Sequence, residues 1–229
     1  MSHIIRFCVD RPLPEKRLSK RRLGRHRFYT WEPNTKLRAR FLDGDMALQE
    51  KVKTNATIWN KYSSVQIVFE NALDAEIRIS FTADKGSWSA LGTQCMNEDY
   101  RGKATMNFGW LTLGTPDIEV SQVVRHEFGH ALGCVHEHQN PEAGIKWNHP
   151  AVYEYCRALN PLWNKEWVDT NIFAIYDTDQ TQFTEFDPTS IMIYPIPKGL
   201  TTDGFEVGWN SELSKIDKAF IKEMTRPNG

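Results

Sequence analysis

Alternating apolar and polar residues mark the first regular element of the chain. The segment KLRARF begins at Lys36. Its apolar residues Leu37, Ala39 and Phe41 fall on one side, and its basic residues fall on the other. This alternation predicts a half-buried β-strand. Asp43 or Asp45 can then cap a helix. The apolar face of that helix recurs at steps of three and four residues and comprises Leu48, Val52, Ala56, Trp59 and Tyr62.

Further short strands follow the helix. The segments VQIVFE at 65–70, AEIRISF at 75–81 and ATMNFGW at 104–110 combine alternation with β-branched and aromatic residues. Strands that follow one helix in this order predict a mixed sheet packed against helices.

Composition narrows the class of protein. The chain has 229 residues, a formal net charge of -1 and 25% charged residues, which is typical of one globular domain. The chain as a whole has no excess of basic residues that would indicate a nucleic-acid partner, and no apolar stretch approaches the roughly 18 residues of a membrane span. We therefore expect neither nucleic acid nor membrane as a partner, and we expect a monomer. The first residues lack the apolar core of a signal peptide, so localisation stays open.

The N-terminal region differs from the rest in charge. Residues 11–27 carry eight Lys or Arg against one acid, and the composition changes after them, which predicts an extension over residues 1–30. Three interpretations remain open: a solvated tail, a patch for an anionic partner, or a removable pro-segment cut near Lys20, Arg21 and Arg22.

The four cysteines do not fix the redox compartment. Cys8, Cys95, Cys134 and Cys156 have no C-x-x-C spacing and allow three pairings. Buried thiols and one or two disulfides are both open interpretations.

The strongest chemical signal lies on a helix that is predicted to begin near Thr115, as its N-cap, and Pro116. His126 and His130 are four residues apart, so their imidazoles project from one face and can share a metal ion. Glu127 lies between them in sequence and can act as a general base.

Gly133 explains how a third ligand can reach the same ion. On a continued helix His136 would lie about 15 Å beyond His126, since each residue rises about 1.5 Å. Glycine readily adopts the left-handed conformation that ends a helix and turns the chain. Three neutral imidazoles would leave zinc an open position for water, as in catalytic sites. This arrangement indicates amide hydrolysis.

The segment HEFGHALGCVHEH, residues 126–138, resembles the extended zinc signature of the metzincin metallopeptidases. Within that clan, Glu137 and the downstream segment Ser190–Tyr194 resemble the astacin family. The resemblance implies that Met192 lies in a Met-turn beneath the metal. It also implies that Tyr194 stabilises the oxyanion.

The same resemblance implies an α+β metzincin fold. A twisted five-stranded mixed sheet and two long helices would lie above the zinc cleft, in an upper subdomain 31–140. An irregular lower subdomain, 141–229, would end in a helix with an apolar face formed by Ile216, Phe220 and Met224. An edge strand would pair with the extended substrate, and the candidate residues are Trp88, Ser89, Ala90 and Leu91.

Three side chains near the motif have open roles. In astacins the glutamate that matches Glu137 meets the amino terminus formed on maturation, but Glu137 is also interpretable as a structural acid. Cys8 could act as a latency thiolate on zinc, although the surrounding sequence does not indicate it. His138 is interpreted as solvated or as a neighbour of the ligands.

We therefore expect a metalloendopeptidase that uses one Zn²⁺ to cleave polypeptides. The alternatives are a catalytically silent zinc-bound protein-interaction module and a hydrolase of small amides. The resemblance suggests secretion.

Overall fold

The structure is a computed structural model that describes residues 8, 29–83, 85–176 and 184–227. The basic segment 11–27, including Lys20, Arg21 and Arg22, lies outside the described residues. The predicted boundaries at residues 30 and 140 stay predictions.

A five-stranded mixed sheet forms the upper half of the molecule. Its strands are β1 (Lys36–Phe41), β2 (Gln66–Phe69), β3 (Ile77–Ser80), β4 (Ser87–Ser89) and β5 (Met106–Phe108). Their order in the sheet is β2-β1-β3-β5-β4. All neighbouring pairs are parallel except β4 and β5, which are antiparallel. The sheet therefore ends in an antiparallel edge strand on the side of β4.

Helix α1 (Met46–Ala56) begins where the sequence predicts, because the Asp45 carboxylate accepts hydrogen bonds from two backbone N–H groups of its first turn. The prediction that the helix continues through Trp59 and Tyr62 is wrong. The α-helix ends at Ala56, and residues 59–61 form a 3₁₀ turn. In this turn the Trp59 indole donates to the Arg125 carbonyl at 3.0 Å, which joins it to a residue 66 positions later in the chain.

Helix α2 (Asp117–Leu132) packs on the sheet and on α1. Its N-cap is Pro116 rather than Thr115, because the Thr115 hydroxyl accepts the Thr112 backbone N–H in the preceding turn. The main core combines α1, α2 and the sheet, and it includes Val52, Trp59, Phe108, Val124 and Phe128.

The lower half contains α3 (His149–Leu159), α4 (Lys165–Val168) and a second core around Val152, Cys156 and Ile193. Helix α5 (Lys215–Met224) returns to the main core.

The predicted apolar face of α5 is only partly right. Phe220 and Met224 are partly buried against the main core, but the buried positions of the helix are Ile221 and the acid Asp217. The buried Asp217 carboxylate accepts hydrogen bonds from Ser190 and Ile191.

All four cysteines lie among the described residues, where they are buried and not joined by disulfides. Within the described ranges no helix is long and apolar enough to cross a membrane.

Candidate active site

Helix α2 and the turn after it bring the three motif histidines together. Gly133 ends the helix with a φ of 106°, a left-handed conformation that glycine adopts without strain. The Cys134 N–H then donates to the Gly129 carbonyl at 2.9 Å, which reverses the chain. His130 Nε2 consequently lies 3.1 Å from His126 Nε2 and 3.0 Å from His136 Nε2.

Hydrogen bonds fix the tautomers of two of these imidazoles. Nδ1 of His126 lies 2.8 Å from the Ile191 carbonyl, and Nδ1 of His130 lies 2.8 Å from the Cys134 carbonyl. A carbonyl oxygen can only accept, so both Nδ1 atoms carry the hydrogen and both Nε2 atoms carry a lone pair. Converging lone pairs at this distance repel each other unless a cation lies between them.

The three-histidine cluster fits zinc. Tetrahedral bonds of about 2.0–2.1 Å would separate two nitrogen ligands by about 3.3 Å, close to the observed distances. The ring nitrogens and the Cys8 sulfur all lie within 4.8 Å of one another, and all four residues are buried. The cluster can therefore hold one metal ion.

Glu127 is 1% exposed and lies beside the cluster. Its Oε2 accepts a hydrogen bond from the Cys8 thiol at 3.2 Å. The sequence offers no support for this contact, because Cys8 and Glu127 are 119 residues apart.

Tyr194 lies beside the cluster, against His136. Its hydroxyl oxygen is 2.6 Å from His136 Nε2, and the hydroxyl donates to the Cys8 carbonyl at 3.2 Å. Met192 lies two residues earlier and packs against α2 at Gly129, where an added Cβ would lie 2.3 Å from the Met192 sulfur. The structure thus brings both downstream candidates to the histidines.

Asp217 holds the segment that carries Met192, and the sequence did not single it out. Its carboxylate accepts the Ile191 N–H at 2.8 Å and the Ser190 hydroxyl at 2.7 Å. It also accepts the Ser214 N–H as part of the capping box of α5. The Ser214-x-x-Asp217 pattern signals a helix start in the sequence, but it gives no hint of the contact with Ile191.

Glu137 lines a small pocket together with His136, Trp59, Asp187 and Phe220. Its Oε1 accepts hydrogen bonds from the Asp187 N–H at 3.0 Å and from the Asn140 amide at 2.9 Å. Burial raises the pKa of Glu137 to about 7, although these two hydrogen bonds lower it. These contacts are those of a structural acid, and a meeting with an amino terminus stays a prediction.

His138 is buried, so its interpretation as a solvated side chain is wrong. Its Nε2 donates to the Asn171 carbonyl at 3.1 Å, and its ring lies 5.1 Å from that of His136. His138 therefore supports a member of the cluster from behind, as the second interpretation held.

The candidate substrate residues lie at and just beyond β4. Trp88 and Ser89 belong to the edge strand. Ala90 lies just after the strand, and its N–H donates to the Thr105 carbonyl. Leu91 follows the strand, and its N–H donates to the Gln94 side chain. Their position at an edge agrees with the expectation for a substrate strand, and their role stays a prediction.

Comparisons with known proteins place this site in a family. The model of the astacin peptidase family matches residues 25–145. The zinc metalloproteinase nas-38 of Caenorhabditis elegans is 22% identical over 223 residues, which cover 96% of this chain but 27% of that longer protein.

Two solved structures share the fold. The structure of myroilysin is 41% identical with a TM-score of 0.83, over 90% of this chain and 99% of that one. The high choriolytic enzyme 1 of Oryzias latipes, a hatching-enzyme zinc protease, is 17% identical with a TM-score of 0.59, over 88% of this chain and 96% of that one. These matches confirm the predicted α+β metzincin fold and the resemblance to astacins. Because the family model spans more than half of the sequence, the chain belongs to the astacin family of zinc metallopeptidases.

Proposed function

We propose that the chain is an endopeptidase that hydrolyses internal peptide bonds of polypeptides, with His126, His130 and His136 as zinc ligands. The observation that carries the proposal is the convergence of the three imidazoles, two of which, His126 and His130, have their Nε2 lone pairs turned inward by backbone carbonyls. Zinc bound there would supply a Lewis acid that lowers the pKa of water and polarises the substrate carbonyl.

Glu127 is the proposed general base. Its carboxylate is buried beside the cluster, and it accepts a hydrogen bond from the Cys8 thiol, whose sulfur lies within 4.8 Å of the histidine nitrogens. It would take the proton of the attacking water and deliver that proton to the leaving amine. Glu127 and the three histidines are buried, and the lower local dielectric strengthens these interactions.

Tyr194 is the proposed oxyanion donor. Its hydroxyl now donates to a backbone carbonyl, that of Cys8, which has the same chemistry as the carbonyl of a scissile peptide. A donor aimed at a carbonyl oxygen stabilises the negative charge that develops there during attack. Met192 would hold the floor of the site through its contact with Gly129.

Strand β4 is the proposed platform for substrate. Backbone pairing along an edge strand would accept substrates with varied side chains, because its hydrogen bonds are made to the main chain of the substrate. An extended chain on β4 would present one peptide bond to Glu127 and Tyr194.

The test compares Glu127→Gln with its parent in cleavage of unfolded casein by zinc-loaded protein. Both carry Cys8→Ala, which removes the thiol that contacts Glu127. We expect a rate loss of about 10²–10⁴-fold with unchanged zinc content. Glu119→Gln, the same change on the same helix two turns earlier, is the matched control and should cleave at the parental rate.

Outcomes are read from the products by mass spectrometry. Undiminished cleavage by Glu127→Gln would refute the assigned base. Absence of cleavage by the parent, with stable binding of a polypeptide, would instead indicate the silent interaction module. Turnover of small amides alone would indicate the third class.

A further inference from the structure

The ring of His138 packs against two side chains of the candidate active site. Its centroid lies 5.1 Å from that of His136 and 4.9 Å from that of Tyr194. The rings of His136 and Tyr194 are themselves 4.7 Å apart, so the three rings form a closed triangle. All three residues are at most 4% exposed. His138 therefore contacts one proposed zinc ligand and the proposed oxyanion donor at the same time.

A π-helical turn, Asp169–Phe173, holds His138 in this position. The Asn171 carbonyl of this turn accepts a hydrogen bond from His138 Nε2 at 3.1 Å. Because a carbonyl oxygen can only accept, the bond fixes the tautomer of His138 as well as its place. The ring of His138 therefore cannot rotate without breaking this hydrogen bond.

The wide geometry of the turn supplies further acceptors for the same segment. In an α-helix the Ala174 N–H would bond to the Thr170 carbonyl, four residues earlier. Here it bonds to the Asp169 carbonyl, five residues earlier, at 2.9 Å, which releases the Thr170 carbonyl. The Gln139 amide donates to that carbonyl at 3.3 Å and to the Ala174 carbonyl at 2.9 Å. Neighbouring side chains, His138 and Gln139, are thus both bound to this turn.

Packing against His138 restricts the rotation of the two neighbouring rings. The Tyr194 hydroxyl oxygen lies 2.6 Å from His136 Nε2, so a tilt of either ring changes the direction in which the hydroxyl points. An oxyanion donor must lie about 2.7–3.1 Å from the oxygen on which charge develops. In a close-packed interior a ring moves only if its neighbours move. The position of His138 consequently affects the aim of Tyr194 and the orientation of His136 within the cluster.

We propose that His138, bound to the π-helical turn, is a positioning residue that holds the Tyr194 hydroxyl and the His136 imidazole in the orientation that the reaction needs. It acts through these two rings rather than on the substrate. Residues that orient metal ligands typically change metal affinity or activity by about 10–100-fold when they are replaced. This inference rests on the proposed function, in which Tyr194 is the oxyanion donor, and its test separates the two.

A kinetic double-mutant cycle tests the inference. His138→Phe keeps a planar ring but removes the N–H that bonds to Asn171, and it is combined with Tyr194→Phe. All proteins carry Cys8→Ala, as in the Glu127 comparison, and kcat for casein cleavage is measured per bound zinc. We expect His138→Phe to lower kcat about 10–100-fold when Tyr194 is present. In the Tyr194→Phe background the further loss should be no more than about 2-fold, whereas a merely structural role would give the same factor in both backgrounds.

Zinc affinity gives a readout that does not depend on turnover. Competition with a chromophoric chelator should show about 10–100-fold weaker zinc binding by His138→Phe. His149→Phe is the matched control, because the exposed ring of His149 lies 3.9 Å from that of Phe173 in the same turn. This control should change neither zinc affinity nor kcat.

The outcomes distinguish the inference from the proposed function. Equal losses of kcat in both backgrounds, or an unchanged kcat in His138→Phe, would overturn the inference and leave the proposed function standing. A coupled loss of kcat with unchanged zinc affinity would overturn the part that concerns His136. An unchanged kcat in Tyr194→Phe would overturn the proposed oxyanion donor and the inference with it. If His138→Phe does not fold, His138→Gln, which loses the ring, replaces it in the same cycle with the same expected results.

Discussion

Gly129 lies between the two helical histidines of the site, and its missing side chain makes room for Met192. A Cβ added there would lie 2.3 Å from the Met192 sulfur and 3.1 Å from Cζ2 of Trp59. Met192 and Trp59 are buried, so neither can swing into solvent. Gly129→Ala should therefore destabilise the protein through overpacking, although alanine is the better helix former.

The magnitude follows from two opposing contributions to the free energy of unfolding. Alanine in a helix interior gains roughly 0.5–1 kcal/mol over glycine. Overpacking of a filled core typically costs about 1–3 kcal/mol. We expect a net loss of about 1 kcal/mol for Gly129→Ala. In a Met192→Ala background, where the sulfur is gone, the same change should stabilise by roughly 0.5–1 kcal/mol, so the two sites are coupled by about 2 kcal/mol.

The assay is denaturant unfolding of the four proteins of this cycle, followed by tryptophan fluorescence at one fixed excess of free zinc. All four carry Glu127→Gln so that released chains are not digested. Equal effects of Gly129→Ala in both backgrounds, with coupling below about 0.5 kcal/mol, would refute the packing explanation.

Three further outcomes are expected. Asp217→Asn places an amide NH₂ against N–H and O–H donors, so it should cost about 1–3 kcal/mol of stability. It should also weaken zinc binding in competition with a chromophoric chelator, because Ile191 orients a ligand histidine; unchanged affinity would contradict this. The second outcome concerns Glu76. Burial raises the pKa of its carboxyl, but hydrogen bonds from Arg38 outweigh this effect and lower that pKa below 4.5. Glu76→Gln should thus be less stable than its parent above pH 4.5, and this loss of stability should vanish as the pH falls through the lower folded-state pKa of Glu76. A stability difference between the two proteins that grows as the pH falls would contradict this expectation. Chelation should lower the melting temperature in calorimetry, since ligand at about 1,000 times its Kd contributes roughly 4 kcal/mol, and an unmoved transition would argue against a zinc site.

Features encoded within a few residues could be predicted from the sequence. The spacing of His126 and His130, the left-handed turn at Gly133 and the cap at Asp45 each depend on local backbone geometry. The structure reproduces all of them. The resemblance to astacins added the edge strand and the methionine turn, which spacing alone does not reveal.

Features that depend on distant contacts could not be predicted. The indole of Trp59, just beyond the end of α1, bonds to the carbonyl of Arg125, 66 residues away. The role of Asp217 follows from its contact with Ile191, although its sequence pattern indicates only a helix start. Cys8 meets Glu127 only in the folded chain. In each case the local pattern is compatible with several partners, and tertiary packing selects one.

The contacts of Asp217 also have a consequence for the order of folding. His126 is oriented by Ile191, 65 residues later, and Ile191 is held by Asp217 after 26 more. During synthesis the HEFGH helix therefore leaves the ribosome long before the segment that orients His126. A nascent chain that ends before Asp217 contains all three histidines but lacks the residue that holds the partner of His126, so it should capture zinc poorly until α5 emerges.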